Sequence, residues 1–270
     1  VYEANINYSG NLSTDNTLKG KEVLLKAIIT NGIQEKHLSF IEEISNATNQ
    51  QSRVEEADRR SNEPVQLELQ KYIYEEFGLF YERKKGEFFN GIEKSYIHRD
   101  FVIDRDEFFR AYMAFTGQPR WARQRGSDIL FARDHFINLM NDASNYRDMV
   151  FSYRLLRKLY ECEKNQDKEV WGFGLRYGKM AIISAIAYSE NQVDITKENL
   201  DSLILEGIVW VKPQWRIYED WVREKPENRD YLNNEDFDYN NYYKGKTVDQ
   251  DIVDFFSKTG HGIWERQQEK

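Results

Sequence analysis

Three groups of residues in this 270-residue chain have the types and spacing to do chemistry. The first is Glu82-Arg83-Lys84, an acid and a lysine two apart in an alternating, strand-like stretch. On one strand face such a pair serves metal-dependent hydrolysis. The acid binds Mg²⁺, and the lysine orients the attacking water or steadies the charge developing on phosphate. Asp58 or Glu63 would supply the further upstream acid, whereas Lys84-Lys85-Gly86 also reads as ordinary turn chemistry. The second group is the amide-rich run NATNQQSRVEEADRRSNEPVQ, Asn46 to Gln66. Gln50 and Gln51 have the paired donors and acceptors that read a base edge, and Arg53, Arg59 and Arg60 would hold phosphates. Asn46 and Asn49 are instead expected to satisfy backbone groups at a helix end. The third is PRWARQRG, Pro119 to Gly126, with Arg120, Arg123 and Arg125 around Trp121 and no acid among them. Guanidiniums neutralise phosphate while an indole offers a stacking face.

The elements that must position these groups follow from periodicity. KEVLLKAII (Lys21–Ile29) reads as a buried strand, and HLSFIEEISNAT as a helix with Leu38, Ile41 and Ile44 on one face. Asn62-Glu63-Pro64 starts a helix, with proline in the first turn, and Gly78 stops it. LFYERKKGEFF is expected to be a hairpin placing Tyr81 to Lys84 on a strand, with a third strand at Asp100–Asp104. Beyond Asp106 the period is helical. YRDMVFSYRLLRKLYECEK carries Met149, Tyr153, Leu156 and Tyr160 on one stripe, and EVWGFGLRYGKMAIISAIAY is a second helix. Gly174 and Gly178 there would admit a neighbouring helix. ENLDSLILEGIVW and PQWRIYEDWVREK are two more helices. From Glu227 to Asp254 eight acids face three bases, which predicts a solvated loop. The fold class expected is α+β, predominantly α, with an α/β part over 1–105 and a mostly helical part over 106–270.

Composition narrows the function. A net charge of −8 excludes a protein that coats nucleic acid non-specifically, although a local basic groove is compatible with it. Cys162 is the only cysteine, so no disulfide or cysteine-based metal site exists, and a reducing cytoplasm fits. The four histidines lack metal-ligand spacing, and nucleotide-loop and nucleophile-elbow motifs are absent. The longest apolar run, Met180–Tyr188, is too short to span a membrane.

One region resembles a known family. "ISNATNQQSRVEEADRRSNEPVQLELQKY" followed by "FGLFYERKKGEF" resembles the abortive-infection phage-resistance (AIPR) family of bacteria. The matching pieces are Ala47 to Gln51 with Val54, then Asp58, Ser61 and Gln66, then Tyr81-Glu82-Arg83-Lys84 with Gly86-Glu87. Gly117-Gln118-Pro119 in DRDEFFRAYMAFTGQPRWAR is similar to the family too. The family's extended front portion, with its Asn-Asn-Gly turn, is absent, and the chain opens on Val1, so a piece of a longer protein is expected. The resemblance implies bacterial anti-phage defence in a cytoplasmic protein. It carries over no catalytic constellation.

The reading that joins these observations is a nucleic-acid sensing region without complete catalytic machinery, using Gln50, Gln51, Arg53, Arg60, Tyr81, Arg83, Arg120, Trp121, Arg123 and Arg125. It needs no cofactor. One alternative is a Mg²⁺-dependent nuclease built on Glu82, Lys84 and Asp58. The other is a protein-interaction module that recognises a phage or host protein, or forms a homo-oligomer through Trp210, Trp215 and Trp221.

Overall fold

The computed structural model describes Ser61 and residues 64–123, 142–165, 168–188, 195–233 and 236–257. The chain divides into two compact units, 1–53 and 54–270, and every described residue belongs to the second. The strand expected at Lys21–Ile29 and the helix after His37 lie outside the described residues.

Helix α1 (Pro64–Phe77) begins on its proline, as expected, and buries Gln66, Leu69, Ile73 and Phe77. Gly78 ends it with φ +67°, a left-handed turn that costs glycine little, and its amide donates to the Tyr74 carbonyl at 2.9 Å. The chain then enters β1 (Phe80–Tyr81), which pairs in parallel with β2 (Val102–Ile103), Phe80 facing Val102 and Tyr81 facing Ile103. This corrects the expected hairpin. A parallel pair needs a crossover, and residues 82–101 supply it through helix α2 (Phe89–Glu93) and a 3₁₀ turn at Arg99–Phe101. Glu82 and Lys84 therefore follow the strand instead of standing on it. The strand expected at Asp100–Asp104 is present only as Val102–Ile103.

Helix α3 (Arg105–Phe115) is the centre of the unit. Asp104 caps it by accepting from the Glu107 amide at 2.8 Å, and Asp106 and Glu107 sit where the helix dipole favours negative charge. Phe108, Phe109, Ala111, Tyr112, Met113, Ala114 and Phe115 are all buried, so other helices must cover it on several sides. α5 (Tyr146–Lys164) does so with Met149, Val150, Tyr153, Leu156 and Leu159. The short α4 (Pro119–Arg123) and the apolar α8 (Lys179–Ile186) pack on it as well. The core passes from Leu69 to Phe256 without a break at Arg105.

Two helical expectations change. The stretch 169–188 is not one helix but α6 (Lys168–Trp171), α7 (Gly174–Tyr177) and α8. Its glycines admit side chains in place of a helix. A Cβ on Gly174 would meet the Trp215 indole, and one on Gly178 the Tyr243 ring. Conversely, the two helices expected around Pro213 are a single helix α9 (Leu200–Glu224). Proline inside a helix removes one hydrogen bond, a penalty of about 3 kcal/mol. The buried stripe of Leu203, Ile204, Ile208, Val211, Trp215, Tyr218 and Val222 runs straight through it and outweighs that loss.

The acidic segment 227–254 is also corrected. It is folded. A 3₁₀ turn (Pro226–Tyr231), an antiparallel pair β3 (Leu232–Asn233) and β4 (Asp236–Phe237), helix α10 (Tyr239–Tyr242) and helix α11 (Val248–Phe256) follow one another. Tyr239, Tyr242, Tyr243, Val248, Ile252 and Phe256 are buried. Acids such as Glu227, Asp230 and Asp236 face solvent, whereas Asp251 is buried. Trp215, expected at an exposed interface, is fully buried, and Trp210 and Trp221 pack partly buried against the core. Among the described residues no helix is long and apolar enough to cross a membrane.

Candidate nucleic-acid interface

The crossover between β1 and β2 sorts its residues by where their polar atoms go. Glu82 extends the strand pairing by one bond, its amide donating to the Ile103 carbonyl at 3.0 Å. Burial, together with the charge of Asp104, raises the Glu82 pKa. Arg83 donates to the Glu87 carboxylate at 2.5 Å and to the Ser61 carbonyl at 3.2 Å. Glu87 also accepts from the Arg83 amide at 2.8 Å and from Gln70 at 3.3 Å. Burial opposes the Glu87 charge, but the bonds from Arg83 and Gln70 prevail and hold its carboxyl below the ordinary value. Gln70 donates to the Tyr81 carbonyl, and the Tyr81 hydroxyl donates to Gln66 Oε1, both at 2.8 Å. Arg105, itself buried, donates to the Arg83 carbonyl at 2.7 Å.

Ser61, Gln66, Tyr81, Arg83 and Glu87, residues that carry the family resemblance, thus close on one another in a single hydrogen-bonded lock. Tyr81 is 0% exposed and presents no face for stacking. Arg83 is spent on the lock.

What the lock leaves outside is different in kind. Lys84, Lys85, Lys94 and Arg99 are exposed, and three aromatic rings stand among them: Phe89 at 62%, Tyr96 at 81% and Phe101 at 51%. Large apolar side chains so exposed, interleaved with cations, have the composition of a stacking platform for unpaired bases. Several of them line one cleft of about 410 Å³ between α2 and α5. Lys85, Phe89, Arg99 and Arg157 form its walls, with Val102 and Tyr153 beneath. Glu82, Asp104 and Glu107 also border it. Glu107 is engaged by Arg157 at 3.6 Å and by the Tyr160 hydroxyl at 3.2 Å. The volume lies within the range of about 300–1,000 Å³ usual for small-ligand pockets. Three cations and three acids thus share the cleft with the Phe89 ring.

The Arg120 backbone and the Arg123 side chain have other partners. The Arg120 amide donates to Asp249 Oδ1 at 3.0 Å, and burial raises the Asp249 pKa against that bond. The Arg123 guanidinium donates to the Tyr177 carbonyl, and burial lowers its pKa. Trp121 packs partly buried against the core. Different partners therefore hold the two arginine groups, Ser61 and Glu87 for Arg83, and Asp249 and Tyr177 for Arg120 and Arg123. Gln50, Gln51, Arg53, Asp58, Arg60 and Arg125 lie outside the described residues. Among the described residues no three His, Cys, Asp or Glu gather to hold a metal ion.

Sequence reasoning missed Lys85, Phe89, Arg99 and Arg157. The first three had a legible signal, the basic and aromatic alternation of KKGEFFNGIEKSYIHRDF (Lys84–Phe101), which the hairpin expectation obscured. Arg157 had none, because only the packing of α5 brings it to the cleft.

The family model described as "AIPR protein" matches residues 5–234. Among curated proteins and solved structures, nothing matches the chain. The match spans both the hydrogen-bonded lock and the helices that surround it, and the chain belongs to the AIPR family.

Proposed function

We propose that this AIPR-family chain grips single-stranded nucleic acid in the cleft between α2 and α5, as a cytoplasmic sensing region of bacterial anti-phage defence. The observation that supports the reading most is Phe89, mostly exposed, sharing one cleft with Lys85, Arg99 and Arg157. Stacking of a base on an aromatic ring is worth about 1–3 kcal/mol, and cations at the same spot neutralise the adjoining phosphates. The net charge of −8 argues against non-specific coating of a polyanion and leaves local cations to do the binding.

Fluorescence anisotropy with labelled single-stranded and duplex DNA and RNA at several salt concentrations tests the reading. Single strands are expected to bind best, with affinity falling as salt rises. Phe89→Ala is expected to weaken binding roughly 5- to 150-fold, the equivalent of one lost stack. Equal affinity for the wild type and Phe89→Ala, or no binding of any strand at low salt, would remove it.

Metal-dependent cleavage by Glu82 and Lys84 has one observation in its favour, that Glu82 and Asp104 border this same cleft. Mg²⁺ is usually held by one or two carboxylates with water and substrate phosphate, and Glu107 borders the cleft as well. Metal-dependent cleavage that Glu82→Gln leaves unchanged would remove this second reading.

A further inference from the structure

A second cavity, of about 300 Å³, lies between α5 and α9. Arg154, Arg157 and Lys158 line it, with Glu161, Asp201 and Leu205. Positions 154, 157 and 158 are one helical turn apart, so they share a face. Arg157 belongs to both cavities. The first cavity has an aromatic wall, whereas the second has cations and aliphatic side chains and no ring.

We infer that the second cavity is a phosphate-binding extension of the first, so that one single strand crosses α5 over Arg157, with a base on Phe89 and its downstream backbone against Arg154 and Lys158. The inference rests on the function proposed above and deepens it. The ligand class becomes an oligonucleotide long enough to reach both cavities, as opposed to a mononucleotide or a dinucleotide. Bases over the second cavity find no ring to stack on.

Acids attend each cation of the track. Arg154 meets Asp201 at 3.3 Å, Lys158 meets Glu161 at 2.8 Å, and Arg157 meets Glu107 at 3.6 Å. These pairs are well exposed, and exposed pairs contribute little net stability. They exchange readily for a phosphate, and until then the carboxylates keep the track from attracting anions indiscriminately.

The test compares fluorescein-labelled oligothymidylates of about 3 and about 12 nucleotides, one below and one within the usual site sizes of about 4–16 for single-strand binders. Arg154→Glu/Lys158→Glu is expected to weaken the longer strand at least tenfold and to leave the shorter one unchanged. The slope of log affinity against log salt for the longer strand is expected to shrink by about 1.4, two phosphates at about 0.7 each. Asp201→Asn, which releases Arg154, is expected to tighten the longer strand several-fold. A double variant that binds both strands as the wild type does would overturn the extension while the first cleft stands. Wild-type chain that binds neither strand overturns both readings. Equal circular dichroism spectra for all variants separate these outcomes from unfolding.

Discussion

Glu219 offers the sharpest test of how the core is packed. It lies on α9 at 1% exposure, and its carboxylate accepts from the Phe173 amide at 3.0 and 3.2 Å and from the Tyr243 hydroxyl at 2.9 Å. Burial pushes its pKa up to about 7, against the opposing pull of those two donors and of Arg216. The folded state therefore holds a proton that the unfolded state, with an ordinary value of 4.5, has already released. Stability from this group is fully present below pH 4.5 and is lost as pH rises through 7. At about 1.36 kcal/mol per pH unit, the gap amounts to about 3 kcal/mol. Glu219→Gln keeps an acceptor for Phe173 and Tyr243 but cannot ionise, so it removes the pH dependence and nothing else that varies with pH. Urea denaturation followed by tryptophan fluorescence, from pH 5 to 8, measures both proteins. The stability of the wild type relative to Glu219→Gln is expected to fall by roughly 1.4 kcal/mol per unit up to about pH 7 and then level off. A difference that stays flat across this interval, or rises with pH, would refute the reasoning, because Glu219 would then be ionised in both states or in neither.

Two further outcomes follow from buried hydrogen bonds. Asp251, 2% exposed, accepts from Lys225 at 2.5 Å, Asn228 at 2.9 Å and Tyr242 at 3.0 Å, so Asp251→Ala removes a shared buried acceptor from three donors, each left with one other partner, and is expected to cost about 3 kcal/mol in urea unfolding. Asp254→Ala, which touches the same lysine from a more exposed position, is expected to cost less than about 1 kcal/mol, and a loss as large as that of Asp251 would contradict the distinction. Tyr81→Phe removes the donor to buried Gln66 and is expected to cost about 1–3 kcal/mol by the same measurement, with no change in oligonucleotide affinity, since the ring faces the core.

Helices whose apolar stripe is continuous were legible without coordinates. Met149, Tyr153 and Leu156 mark α5, and Pro64 and Gly78 bracket α1, because period and end chemistry are local properties. What failed was decided at a distance. Lys-Lys-Gly does make its turn, the Glu87 amide donating to the Lys84 carbonyl at 3.0 Å, but the strand finds its partner at Val102 instead of a few residues on. Pro213 reads as a helix boundary, yet the stripe beneath it is continuous. The acids of 227–254 obscured a second pattern, Val248, Ile252 and Phe256 at fourfold spacing. The residues that resemble the family were conspicuous, but they form the lock, and the exposed residues beside them form the cleft.

Helix α11 is the last described helix to leave the ribosome, yet it packs against α4 and α8, and Asp249 meets the Arg120 amide across 129 positions. Synthesis at about 5–20 residues per second leaves the earlier helices waiting several seconds with an uncovered apolar side. The nascent chain is then at its most vulnerable to proteases and in greatest need of chaperones. A chain ending at residue 234 would contain the whole matched stretch and still lack the buried Tyr239, Tyr242, Val248, Ile252 and Phe256 that cover this side.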